Sequence, residues 1–589
     1  MLYLFAFLDF SFSEFVGEYF LVAFKKAANM KITHILSILL MGSLFSCQDR
    51  SSDLLLINGS IYPMTGKTVQ AEALAVKEGK IIFVGTHAEA AAYKASAGTV
   101  VDLEGKAVFP SFTDGHIHPI WGGIRLKDCD LTDIRNEADI LQTIRMYVEA
   151  HPDKQWIMGA NLWLPAVGNG NPSKELLDEI AADRPMFIQS ADGHSAWVNS
   201  KALELARVTK ETETPNGGVI ERTPEGEPSG VLREYAIGLV RNILPPFTFE
   251  EKVTALEKAV QMANSYGITS WIDARVDEED IAVYATLEKE GKLTMDVTLS
   301  LFANIIEGMD AVESVLNRYE AHKDKLARID MKSTKMYIDG VIEGKTAALF
   351  ENYVGEDFTG SAYIGADLYN QMVAAFDIAG FQVHIHACGD KGIRMTLDAF
   401  EFAREQNGIR DSRHHIVHMQ VMDPEDVDRF KELDVIANFQ PLWATPEDSY
   451  ISELTIPVLG PERTEWIYPL GAVAKSGAKI AHGSDWPVTS VNPMLAMQVA
   501  VTRRGPDSVE RAPWTPQHLV DTYEVIEGYA KGGAYLMFKE QTSGTLEVGK
   551  EANLVVMEQN PFSISKFELH QLAVEQTYWK GKKVYQREE

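Results

Sequence analysis

The chain has 589 residues, 46% of them hydrophobic and 24% charged, enough apolar material for one large core and a smaller one, and too much for a disordered chain. With 55 Lys and Arg against 84 Asp and Glu the net charge is -29, which argues against nucleic acid or an anionic lipid surface as a partner of the body. Three cysteines, Cys47, Cys129 and Cys388, are too few and too scattered for a disulfide framework or a thiolate metal site.

In chain order, the first element is an address. From Met30, Lys31 and His34 lead into the apolar run Ile35 to Leu40, and Leu44-Phe45-Ser46-Cys47 follows. The run is too short to span a bilayer. It resembles a bacterial lipoprotein signal, which implies a lipid anchor on Cys47 and a cell-envelope protein facing the periplasm or outer membrane. Residues 1–29 have no place ahead of such a signal, so Met30 is the expected start of a signal segment ending at 47. A first transmembrane or amphipathic segment is the competing reading.

Short strand-like runs follow: Leu54 to Ile57, Ala73 to Val76, Lys80 to Gly85 and Val100 to Leu103. The texture returns at Gly544 to Leu546, Ala552 to Met557 and Lys583 to Tyr585. Short strands between glycine turns predict a β-sandwich, here built from both ends of the chain, 48–109 and 540–589. Between them, strand-length apolar runs alternate with helical patterns such as Glu250 to Tyr266 and Leu368 to Ile378. The strand candidates are Met186 to Ile188, Ile268 to Ile272, Met295 to Leu299, Met336 to Ile338, Gln382 to His386, His415 to His418, Val435 to Ala437 and Lys479 to His482. Such alternation over 110–539 predicts an α/β fold, a (β/α)8 TIM barrel, with a loop-rich insertion at about 161–235.

A barrel puts its chemistry at the C-terminal ends of its strands, and polar residues cluster there. His116 and His118 sit two apart after the run Ala107 to Pro110; in an extended segment they share a face and can grip one divalent cation. His386, His418 and Asp485 end other strand-like runs. Five such residues at matching places point to a metal centre, and imidazole with carboxylate suits Zn, or alternatively Mn, Fe or Co. By spacing alone Lys335 is a surface lysine.

Further motifs make the pattern specific. They are Pro110 to His118, Asp192 to Ser200, Lys335 to Gly340, His386-Ala387-Cys388-Gly389-Asp390, Gln440-Pro441, Gly483 to Val488 and Gly544 to Lys550. Over residues 54–589 the chain resembles the amidohydrolase superfamily, in its YtcJ-like branch (amidohydrolase family 3), to which N-substituted formamide deformylases belong. The resemblance implies His116, His118 and Asp485 on a buried metal, His386 and His418 on a second, and Lys335 bridging both as a carbamate. The metal expected is zinc, as one ion or two.

Two metals about 3.5–4 Å apart would activate water for attack on a carbonyl, with Asp485 as catalytic proton shuttle. His194 and Gln440 are then expected to face the substrate, and Trp163, Trp197 and Trp443 to rim its pocket. The chain departs from the pattern at Val417-His418, where an acidic residue usually precedes the histidine, and at Ala552-Asn553, usually Ala-Asp. His384 and His415 are extra histidines beside the ligands, expected in structural or supporting roles. The function expected is hydrolysis of an amide-type C–N bond in an N-acyl or N-formyl amine. Ester, lactone or deaminase chemistry in the same site, or a non-catalytic metal-binding lipoprotein, are the alternatives. The partners expected are a small-molecule substrate, a membrane only through Cys47, no nucleic acid, and a second copy of the chain in a homodimer as one option for an oligomeric state the sequence leaves open.

Overall fold

Eight short strands pair in parallel and in sequence order around a barrel. They are β1 (Phe112–Ile117), β2 (Ile268–Val276), β3 (Asp296–Phe302), β4 (Ile329–Tyr337), β5 (Gln382–Ala387), β6 (His415–His418), β7 (Ile436–Phe439) and β8 (Ile480–His482). The computed structural model describes residues 51–588 apart from 68–69, 133, 192, 194, 216–217, 447–449, 507 and 509. The lipoprotein-like segment and Cys47 lie outside the described residues.

The ring closes where β8 meets β1. The Asp485 N–H donates to His116 O at 2.8 Å and the His118 N–H to Trp486 O at 2.9 Å. The Ser484 N–H donates to the Asp114 carboxylate at 3.0 Å. Strands buried on both faces need apolar residues on the outer side as well, and Trp271, Leu299, Leu301, Val383 and Ile385 supply them. Helices pack over that layer. Phe249–Ser265 begins with a capping box, Thr248 with Glu251, and buries Leu256, Ala259, Val260 and Ala263, a spacing of three and four that makes one apolar stripe.

The two ends of the chain form one sandwich beside the barrel. One sheet runs Lys80–Gly85, Ala73–Lys77, Ser52–Ile57, Ala97–Asp102; the other runs Ser60–Ile61, Ala107–Pro110, Leu554–Met557, Val574–Trp579, Lys582–Gln586. The N- and C-terminal pieces pair antiparallel, with Val108 opposite Val556. Leu54, Leu56 and Leu74 share their core with Leu546, Leu554 and Val556. Asn553, where the family pattern has Asp, accepts the Lys580 N–H at 2.8 Å, so the amide oxygen serves as a carboxylate oxygen would. Gly544 to Leu546 is turn rather than strand.

A second correction concerns Met186 to Ile188. It belongs to a six-stranded sheet, in the order Gly218–Arg222, Pro228–Glu234, Ser195–Val198, Met186–Ser190, Ile157–Leu162, Cys129–Asp130. A short apolar run buried on both faces has no periodicity that tells one sheet from another. This sheet extends beyond the expected insertion, taking in Cys129–Asp130 and Ile157–Leu162 between β1 and β2. Trp197 is fully buried in it and donates its indole N–H to Ser173 O at 3.0 Å. Among the described residues no helix is long and apolar enough to cross a membrane.

Candidate metal centre

Strand periodicity gathers the site. Asp114 and His116 share the inner face of β1, Lys335 and Tyr337 that of β4, and His384 and His386 that of β5. In register, Lys335 lies opposite His384 and His384 opposite His415. His415 and His418 are three apart and would face opposite ways on a regular strand. His418 instead has φ +77°, which breaks the alternation and turns its ring to within 4.9 Å of His116. Asp485 also sits at positive φ, +55°. Such backbone in a residue with a side chain costs about 1–3 kcal/mol and collects at working sites.

Ligand atoms converge at the floor of a cavity of about 680 Å³. His116 Nε2 and His118 Nε2 approach Asp485 Oδ1 to 3.2 and 3.1 Å. These contacts are not aligned as hydrogen bonds, and Oδ1 has no hydrogen-bond partner. The three atoms therefore lie close together without hydrogen-bonding one another. Candidate ligand atoms of His116, His418 and Asp485 all lie within 4.8 Å, and the His386 ring is 4.5 Å from that of His418.

Hydrogen bonds behind the rings fix which nitrogen is available. Gln440 Oε1 accepts the His418 backbone N–H at 3.1 Å, so it is an acceptor, and His418 Nδ1–H donates to it at 2.9 Å. His418 Nε2 is left with a lone pair. His386 Nε2–H donates to Gly340 O at 3.0 Å, a tautomer that puts the ring's lone pair on Nδ1. His116 Nδ1 lies 2.7 Å from His384 Nε2, and His384 Nδ1 3.1 Å from Ser300 Oγ. Ligation through His116 Nε2 requires the tautomers in which protons run outward along this chain, His116 to His384 to Ser300.

The charge states fit a cation. Burial, with the charge of Lys335, pulls His116 down to about 3. Burial also pulls His418 well below the usual imidazole value, so both rings are neutral and able to coordinate. Burial opposes ionisation of Asp485, yet His116, His118 and His418 hold it well below the usual carboxylate range. Neutral imidazoles around one ionised carboxylate, with an orphaned buried oxygen at their focus, are a donor set for a divalent metal.

Lys335 is fully buried in β4 rather than at the surface. Its Nζ has no hydrogen-bond partner among the described residues and sits 4.8 Å from the Tyr337 ring centroid. Burial lowers it to about 7, against the pull of Asp485. A neutral amine is the form that reacts with carbon dioxide.

The remaining expected contacts divide. Trp443 lines the cavity, stacked on His418 at 5.4 Å and 7°. Gln440 does not line it but stands behind His418, accepting from its backbone N–H and its ring Nδ1–H. Trp163 is buried away from the cavity beneath Arg135, and Trp197 lies in the core of the inserted sheet. All three lack the direction that sequence position cannot give. His194 lies outside the described residues. Sequence reasoning passed over Trp121, Asp273 and Arg275, which line the cavity; placement of Asp273 and Arg275 at the end of β2 was the available signal.

Comparisons with known proteins agree with this geometry. The amidohydrolase family pattern matches residues 99–585. Protein LONG AFTER FAR-RED 3 of Arabidopsis thaliana is 29% identical over 91% of this chain and 92% of its own. The N-substituted formamide deformylase of Arthrobacter pascens is 26% identical over 91% of this chain and 98% of its own. An uncharacterized metal-dependent hydrolase from Pyrococcus furiosus superposes with a TM-score of 0.67 at 25% identity, covering 87% of this chain and 100% of that one. The chain belongs to the amidohydrolase family and is a metal-dependent hydrolase of that family.

Proposed function

We propose that this protein hydrolyses an amide-type C–N bond in a small molecule of the N-acyl or N-formyl amine class. The observation that carries the reading is the meeting of His116, His118 and Asp485 around an orphaned carboxylate oxygen at the cavity floor. The likeness to a formamide deformylase along nearly the whole chain supports the C–N choice.

A divalent metal, zinc by donor chemistry, would be held by His116, His118, His386, His418 and Asp485, with Lys335 as a carbamate if two ions bind; it supplies Lewis acidity and an acidified water. The chain's own residues do the rest. Asp485, ionised and at the cavity floor, accepts the proton of the attacking water and returns it to the leaving amine. Gln440 and His384 orient the imidazoles. Trp443 lies flat against His418, closing off bulk water on that side.

Purified, zinc-loaded protein assayed on N-formyl and N-acetyl amines with matched esters tests this. Amine release is expected, lost on chelation, and reduced at least about 100-fold in Asp485→Asn. Activity that survives both treatments would sink the reading. Turnover of the esters alone would transfer the site to ester chemistry.

A further inference from the structure

Two guanidinium groups that line the cavity, Arg241 and Arg275, form no ion pair among the described residues. Arg275, two residues past Asp273 on β2, lies 4.3 Å over the Phe302 ring, and its charge acts on the buried Tyr337 hydroxyl. Tyr337 in turn packs 5.0 Å from His386, so Arg275 is one side chain removed from the proposed ligands. Arg241 reaches the same cavity from a short helix, Gly238–Arg241, that follows the inserted sheet. The residue as a whole remains exposed. Its guanidinium nevertheless falls below its ordinary value through partial dehydration by its surroundings and through the charge of Arg275. Neither guanidinium has a further interaction with a carboxylate among the described residues.

The acidic groups of the same cavity are occupied elsewhere. Asp273 accepts the Tyr284 hydroxyl at 2.8 Å, and burial raises it well above the usual carboxylate value. Asp280 faces Lys252 Nζ at 3.5 Å. Glu343 accepts Thr455 Oγ1 at 2.9 Å and the Gln420 amide. Asp128 sits in the field of Lys154 and Arg125, and Asp277 opens the helix Glu278–Lys289. The third guanidinium, Arg125, is bound to Gln189 Oε1 at 2.6 Å and Asn161 Oδ1 at 3.2 Å. Arg241 and Arg275 therefore remain as a pair of like charges facing one cavity. Paired guanidiniums are built to take a carboxylate through charge-assisted hydrogen bonds.

We propose that Arg241 and Arg275 bind a carboxylate on the substrate, so that the compound cleaved belongs to the N-acyl amino acid class. The identity of the cleaved bond rests on the hydrolase reading above; the anion site does not.

The test is calorimetric binding to the zinc-loaded protein of N-methanesulfonyl phenylalanine and leucine, each as free acid and as methylamide. A sulfonamide in place of the amide leaves nothing to hydrolyse, so binding is read apart from turnover. Each acid is expected to bind roughly tenfold tighter than its methylamide, with the gap narrowing at high salt. The gap is expected to close in the Arg241→Gln, Arg275→Gln double variant and to persist in part in Arg275→Lys, with thermal melting confirming that each variant is folded. Acids that bind no tighter than the methylamides, including no binding by either, overturn the proposal. So does a gap that survives the double substitution. Whether amides are cleaved at all is decided separately by the formyl and acetyl amine assay.

Discussion

His116 depends on a neighbour that ligand motifs do not contain. Its Nδ1 meets His384 Nε2 at 2.7 Å, and His384 is anchored by Ser300, which lies 2.8 Å from Ser333 Oγ. This chain of side chains holds the His116 ring with Nε2 toward Asp485. Partners of this kind are typically worth about 10–100-fold in metal affinity. His384→Phe is therefore expected to weaken zinc binding by roughly that factor, measured by competition with a chromogenic chelator, while His384→Gln, which keeps a polar group in the barrel, loses less. Equal zinc affinity in the wild type and His384→Phe would show that His116 is oriented by something else. The same logic applies to His418, behind which Gln440 supplies the acceptor for Nδ1–H.

At the scale of elements, the ligands owe their meeting to the closure between β8 and β1. Gly483 lies where a Cβ would stand 2.6 Å from His116 N and 2.7 Å from His116 Cβ. Both clashes involve atoms fixed to the backbone, so relief requires the strands to part. Gly483→Ala is expected to cost about 1–3 kcal/mol in urea unfolding and to lower zinc content, because parting the strands moves His116 away from Asp485. Full zinc content together with unchanged stability would mean the seam has slack that the geometry does not suggest. Most of these elements were legible in the sequence, because strand-length apolar runs ending in His or Asp are local signals. Ownership of a run was not: Met186 to Ile188 carries the same apolar character as a barrel strand, and only long-range pairing with Ile157–Leu162 and Ser195–Val198 assigns it to the inserted sheet. Side-chain direction was equally hidden, which is why Gln440 and Trp163 were expected at the substrate.

Over the whole molecule, the barrel interior concentrates imidazole away from water, and that sets how stability responds to acid. His482, at the end of β8, is buried against the Tyr529 ring at 5.0 Å with its Nδ1 unpartnered. Burial lowers it to about 3 from an ordinary value of 6.5. Below pH about 6.5 the unfolded chain takes up a proton there that the folded chain refuses, so folding stability falls as pH drops from 6.5 toward 3 and is fully present above 6.5. One such histidine removes about 2 kcal/mol between pH 7 and pH 5. Removing the titrating group should remove that share of the acid sensitivity, whatever the substitution does to stability at neutral pH. Urea unfolding of metal-free wild type and His482→Asn at pH 7 and pH 5 is expected to show a loss on acidification smaller by about 2 kcal/mol in the variant. The other buried histidines are common to both proteins and cancel in the comparison. Parallel losses in the two would mean that His482 is protonated in the folded chain, and that the ring finds in the barrel a partner for its charge.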